Sequence, residues 1–122
     1  MKIQECYLAN DKSTGASFNS IGVKEDEVFT GSIQIVSTGG SGTYQVEVSN
    51  DLVPLAPVVI GGNQDPAANV VNWIDYTGKS ATFAGASKVI ILLDNIGFKW
   101  VRVSYTRTAG TGLVKIIFFA KG

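Results

Sequence analysis

Near the C-terminus, Leu113-Val-Lys-Ile-Ile-Phe-Phe119 is apolar at both parities: Val114, Ile116 and Phe118 alternate with Leu113, Ile117 and Phe119. A strand sends successive side chains to opposite faces, so neither face of this stretch suits free contact with water, and an inner strand is expected. Ahead of it, Lys99-Trp-Val-Arg-Val-Ser-Tyr-Thr-Arg107 alternates, with Val101, Val103 and Tyr105 on one face and Trp100, Arg102 and Ser104 on the other. Thr108-Ala-Gly-Thr-Gly112 between them carries turn chemistry, so 98–122 reads as one antiparallel hairpin. A second hairpin is read from 28–37 and 43–49, joined by Thr38-Gly-Gly-Ser-Gly42. There Ile33 and Ile35 oppose Ser32 and Gln34 in parity, and Tyr44, Val46 and Val48 oppose Gln45, Glu47 and Ser49, which gives one wet and one dry face.

The remaining segments fit the same plan. Residues 2–8 form a first strand with Ile3, Cys6 and Leu8 inward; the alternation slips by one, as at a bulge or a short edge pairing. Asn10-Asp-Lys-Ser-Thr-Gly15 is a turn-rich loop, and Lys24-Glu-Asp-Glu27 a solvated acidic one. Residues 50–69 are the longest irregular stretch and hold all 3 prolines, Pro54, Pro57 and Pro66. Loops of this length inside a compact fold are usually functional or contact-making. Val53, Leu55, Val58, Val59 and Ile60 within it must pack on the body or on a neighbour, which makes them the candidate interface. Residues 70–76 read as a strand around Trp73, turned by Thr77-Gly-Lys79 into 80–84. Lys88-Val-Ile-Ile-Leu-Leu-Asp94 reads as a strand buried on both sides.

No stretch shows a capped 3.6-residue period, and 14 glycines punctuate the chain at turn-like intervals. The expected fold is all-β: an antiparallel, jelly-roll-like β-sandwich in a single domain. Its core is expected to hold Val46, Val48, Ile90, Leu92, Val101, Val103, Ile116 and Phe118. At 122 residues such a chain removes roughly two-thirds of its unfolded surface from water, so no staple is required.

The chemistry is narrowed by what is missing. There is no histidine, which removes the Ser-His-Asp triad, the Cys-His pair and most catalytic zinc sites, and the 1 cysteine, Cys6, can form no internal disulfide. Asp51, Asp65, Asp75 and Asp94 are the carboxylates a glycosidase would need, yet each sits in turn-like context with an ordinary local role. Glu25-Asp-Glu27 and Asn63-Gln-Asp65 hold oxygen ligands without metal-site spacing. No catalytic residue, cofactor or metal is therefore expected. Lys plus Arg and Asp plus Glu balance at 10 each with no basic tract, which disfavours nucleic acid, and no apolar run reaches the ~18 residues of a membrane span. The start of the chain lacks a signal-peptide pattern, so it is expected to be made soluble in the cytoplasm. Low charge, 16% of residues, suits a protein working inside an assembly. Trp73 and Trp100 are the candidate sugar-stacking pair if the chain is instead a carbohydrate binder.

Gly31-Ser-Ile-Gln-Ile-Val36, Tyr44-Gln-Val-Glu-Val-Ser-Asn-Asp51, Trp73 and Phe98-Lys-Trp-Val-Arg-Val-Ser-Tyr-Thr-Arg-Thr-Ala-Gly-Thr-Gly112 together resemble small β-sandwich virion proteins of tailed bacteriophages. The resemblance spans 28–122 and implies a particle component: a capsid decoration or cement protein, a head fibre, or a tail-appendage module. The compact chain without fibre repeats points to decoration of the head. Its implied partners are viral capsid or other virion proteins at the virion surface; copies of itself, as trimer or dimer, are expected from the surplus of apolar side chains in 88–94, 113–119 and 50–69. The alternative is a tail or head-fibre adhesin binding host-surface carbohydrate.

Overall fold

A computed structural model describes residues 2–55 and 65–122. Among the described residues there is no helix; the strands are β1 (Ile3–Ser13), β2 (Phe18–Asn19), β3 (Val23–Lys24), β4 (Thr30–Ser37), β5 (Ser41–Ser49), β6 (Ile74–Ala84), β7 (Ser87–Leu93), β8 (Trp100–Ala109) and β9 (Leu113–Lys121). One antiparallel sheet runs β1-β9-β4-β7; the other runs β2-β8-β5-β6, with β3 also paired to β8. The chain crosses between sheets at every connection except β2–β3 and β5–β6. Taking the short β2 and β3 as one strand, this interleaving is the order of a jelly roll, two antiparallel sheets face to face. The all-β sandwich expected from the alternation is the fold.

The core is what the two inner faces bring together. Leu8, Ile33, Ile35, Ile91, Leu93, Val114, Ile116 and Phe118 from the first sheet meet Tyr44, Val46, Phe83, Val101, Val103 and Tyr105 from the second. Each of these large side chains contributes about 1.5–3 kcal/mol by leaving water. Tyr44 stacks on Tyr105 with ring centroids 4.5 Å apart, and Phe83 and Phe18 close the group at 5.1 and 5.3 Å. Of the expected core, Val46, Val101, Val103, Ile116 and Phe118 are fully buried, and Val48 is half-buried.

Both expected hairpins are corrected. β8 and β9 lie in opposite sheets, as do β4 and β5, so Gly110–Gly112 and Thr38–Gly40 are arches that carry the chain over the end of the sandwich. Alternation could not tell the two apart: a hairpin sets two dry faces side by side and an arch sets them face to face, from the same pattern. The arches lie against each other. Thr38 N donates to Leu113 O at 2.9 Å, Thr14 N donates to Gly112 O at 3.0 Å, and a β-carbon on Gly112 would stand 2.5 Å from Gly39 N. Only glycine fits this contact.

Three further readings change. The turn expected at Thr77-Gly-Lys79 is a bulge within the single strand β6. The register moves from Gln45 opposite Ser80 to Glu47 opposite Asp75, and Gln45 Nε2 spans the gap by donating to Tyr76 O and Lys79 O at 3.0 and 3.2 Å. β7 is an edge strand with one buried side, Ile91 and Leu93; Ile90 and Leu92, expected in the core, are 58% and 59% exposed. Lys88 and Asp94 have the same parity as Ile90 and Leu92, but β7 offers no polar alternation in between to mark which side is wet. In β1, Leu8 is buried and Cys6 half-buried as expected, while Ile3 is 55% exposed; the slip in alternation shows as register shifts on either side of Ala9. β9 is an inner strand, as read.

Candidate interface on the outer face of the four-stranded sheet

The two outer faces of the sandwich differ in chemistry. On β5, β6 and β8 the outward positions are mostly polar apart from Trp100, which Val53, Ala67, Val70 and Trp73 cover, and several of them are partnered within the chain. Thr43 and Thr82 hydroxyls meet at 3.2 Å, and Arg102 Nε donates to Glu47 Oε1 at 2.7 Å while its guanidinium covers the Trp73 ring at 4.4 Å. Most of this face is polar, while the segment that covers Trp100 leaves Leu52 and Val71 exposed at 88% and 78%.

The outer face of β1-β9-β4-β7 carries an apolar patch. The register sets side chains in rows across the strands: Glu5, Phe119, Ser32 and Leu92 in one, Tyr7, Ile117, Gln34 and Ile90 in the next, then Lys115, Val36 and Lys88. Tyr7, Phe119, Ile90 and Leu92 are exposed, with Ile117 and Val36 half-exposed among them. Ser32 is short between Phe119 and Leu92, which leaves a shallow depression there. Lys88, Lys115, Lys121, Glu5 and Asp94 ring the patch. Lys115 is held at one side by Asn10 Oδ1 at 3.1 Å and Asp11 at 3.4 Å, with its amine 5.8 Å from the Tyr7 ring. An apolar patch with a charged rim is the usual make-up of a protein contact.

The residues singled out from the sequence fall elsewhere. Of the candidate interface in the 50–69 connection, Leu55 is 60% exposed and Val53 is half-buried; Val58, Val59 and Ile60 lie outside the described residues. Trp100 is corrected: it is 1% exposed, packed with Ala67 and Val70 in a second small cluster, with Nε1 donating to Asp51 O at 3.2 Å. Its parity opposite Val101 and Val103 did exclude it from the main core, and Val53, Ala67, Val70 and Trp73 supply its cover. Trp73 packs against the same cluster beneath Arg102, so neither indole offers a free ring face for a sugar.

The carboxylates are spread, and several are occupied, Asp94 among them by Lys79 at 3.8 Å. Asp51 Oδ2 accepts from Val71 N and Asn72 N, both at 3.0 Å, and Oδ1 accepts from Asn72 Nδ2 at 3.0 Å, so it clasps the two ends of the 50–73 connection. Those donors hold its carboxyl below the ordinary range, the backbone bond from Asn72 most of all. Asp65 Oδ1 accepts from Gly22 N at 2.9 Å and Ala67 N at 3.0 Å. Glu25 accepts from Val28 N at 3.3 Å, and Asp26 pairs with Lys2 at 3.1 Å. Among the described residues no group of three or more acidic or cysteine side chains converges as metal ligands would. Burial pushes the Cys6 thiol up, away from the reactive thiolate.

A scan against protein-family models and searches of curated proteins and of solved structures give no match to this chain.

Proposed function

We propose that the chain is a non-enzymatic structural protein of a virus particle, a capsid decoration or cement protein that coats the phage head as a homo-oligomer. The observation that carries the seating is the unlike pair of outer faces. A mostly polar face with several of its groups partnered suits water, and an apolar patch without a partner among the described residues suits a protein surface. The β1-β9-β4-β7 face then lies on the shell and the β2-β8-β5-β6 face points outward, with Leu55 adding apolar area from the connection at its side. The viral setting comes from the sequence resemblance. Jelly rolls serve in capsids and lectins alike, so the fold does not choose between them. Against the carbohydrate-binding alternative stand the burial of Trp100 and the Arg102 cover on Trp73.

The test is antibody labelling of purified particles, with copy number by quantitative mass spectrometry and rebinding to stripped shells. Labelling over the whole head, in a copy number comparable with the shell subunit, is expected, and Phe119→Glu should abolish rebinding while the protein stays folded. Unlabelled heads, or a few copies confined to the tail, overturn the reading; a glycan array then becomes the next measurement.

A further inference from the structure

Among the described residues, every sheet edge but one is protected. β1 carries two register shifts, β6 carries the bulge filled by Gln45, and β2 and β3 are 2 residues each. Bulges and short strands are how natural sheets prevent pairing with another chain. β7 has neither: it pairs with β4 from Ser87 to Leu93 without a register shift, has no strand neighbour on its other side among the described residues, and reads Val-Ile-Ile-Leu-Leu between Lys88 and Asp94. Such an edge is a ready template for strand addition.

The charges at the two ends of this edge are self-complementary, with Asp94, just beyond β7, 82% exposed at its side chain and 3.8 Å from Lys79 in its own chain. If two copies of β7 run antiparallel about Ile91, Lys88 of each stands opposite Asp94 of the other, Ile90 opposite Leu92, and Val89 opposite Leu93. Each pair keeps its face: Lys88, Ile90, Leu92 and Asp94 have outward parity, and Ile91 and Leu93 are buried inward. A one-residue slip would put inward side chains outside, and a two-residue slip would break the ion pairs, so the register is specified.

We propose that β7 pairs with β7 of a second copy across a twofold axis at Ile91, joining two four-stranded sheets into one continuous sheet. The contact is isologous and closes on itself, so it yields a dimer and not a fibre. Ile90 and Leu92 of both copies meet on the outer face, which merges the two apolar patches into one. The proposal specifies the homo-oligomer of the preceding section as a dimer, but it needs nothing from the viral setting.

The experiment is sedimentation of the full chain over a concentration series. The wild type should be a dimer. Lys88→Asp and Asp94→Lys should each weaken it roughly tenfold or more, since the twofold axis makes every attractive pair repulsive twice. Both variants should keep the wild-type circular dichroism. Mixing them should restore a dimer, because the edge that carries two aspartates then faces the edge that carries two lysines, and both cross-strand pairs are attractive again. A wild type that is monomeric throughout or trimeric overturns the proposal, as does a dimer indifferent to both substitutions or a mixture that stays monomeric. If Phe119→Glu separates the copies and the charge variants do not, they meet through the outer faces; that result refutes the edge pairing, while particle labelling judges the functional reading separately.

Discussion

Adjacent leucines in β7 separate the two sides of the first sheet. Leu93 is 0% exposed in the main core, and Leu92 is 59% exposed on the outer face. Truncating a buried leucine to alanine removes its transfer free energy and leaves a cavity, at a cost of 2–5 kcal/mol, taken here as about 3. For 122 residues the unfolding entropy is about 0.26 kcal/mol/K, so Leu93→Ala should lower Tm by about 12 °C. Leu92→Ala gives up only the part of the side chain that its neighbours cover, below about 1 kcal/mol and so about 4 °C or less. Thermal unfolding followed by circular dichroism, at concentrations low enough to keep copies apart, measures both. If the proposed seating holds, Leu92→Ala should instead weaken association with shells. Equal losses of Tm, or a larger loss at Leu92, would refute the assignment of inner and outer sides in β7.

Tyr44 is fully buried and its hydroxyl makes no hydrogen bond of good geometry among the described residues, the Ser37 hydroxyl beside it donating instead to Gly39 O at 2.6 Å, so Tyr44→Phe should be neutral or stabilise by up to about 2 kcal/mol, and a clear loss in chemical denaturation would show that the hydroxyl is satisfied by Ser37. Burial, with Tyr105 beside it, pushes the Tyr44 phenol up to about 12, which makes its contribution complete below its unfolded value of 10.0 and lost as pH rises towards 12; Tyr44→Phe should shift the alkaline unfolding midpoint upward. Asp51 has the opposite sign: its folded value lies below 3.8, so its clasp on Val71 and Asn72 holds above that pH and opens as pH falls through the folded value. Hydrogen exchange at those two amides should accelerate in acid, and in Asp51→Ala at every pH; unchanged protection in the variant would remove the clasp. EDTA should leave Tm and assembly unchanged, because the Glu25, Asp26 and Asp65 carboxylates already have partners; a fall in Tm reversed by calcium would contradict this.

The sequence by itself determined the class of fold and most of the core. Alternation at Tyr44, Val46, Val101, Val103 and Tyr105 requires a strand with a dry side wherever that strand is placed, and the absence of histidine removes the same chemistry in any fold. Even the separation of Trp100 from Val101 followed from parity. Three features were decided only by tertiary structure. Whether β8 returns beside itself or arches over to the other sheet depends on which strands offer free edges, and the same alternation serves both. Which side of β7 is wet depends on its place at an edge, since an all-apolar run carries no polar mark. The apolar outer face exists only because β1, β9, β4 and β7, far apart in the chain, set Tyr7, Ile117, Phe119, Ile90 and Leu92 together by register. Local pattern fixes which side chains share a face, and long-range pairing fixes which faces become one surface.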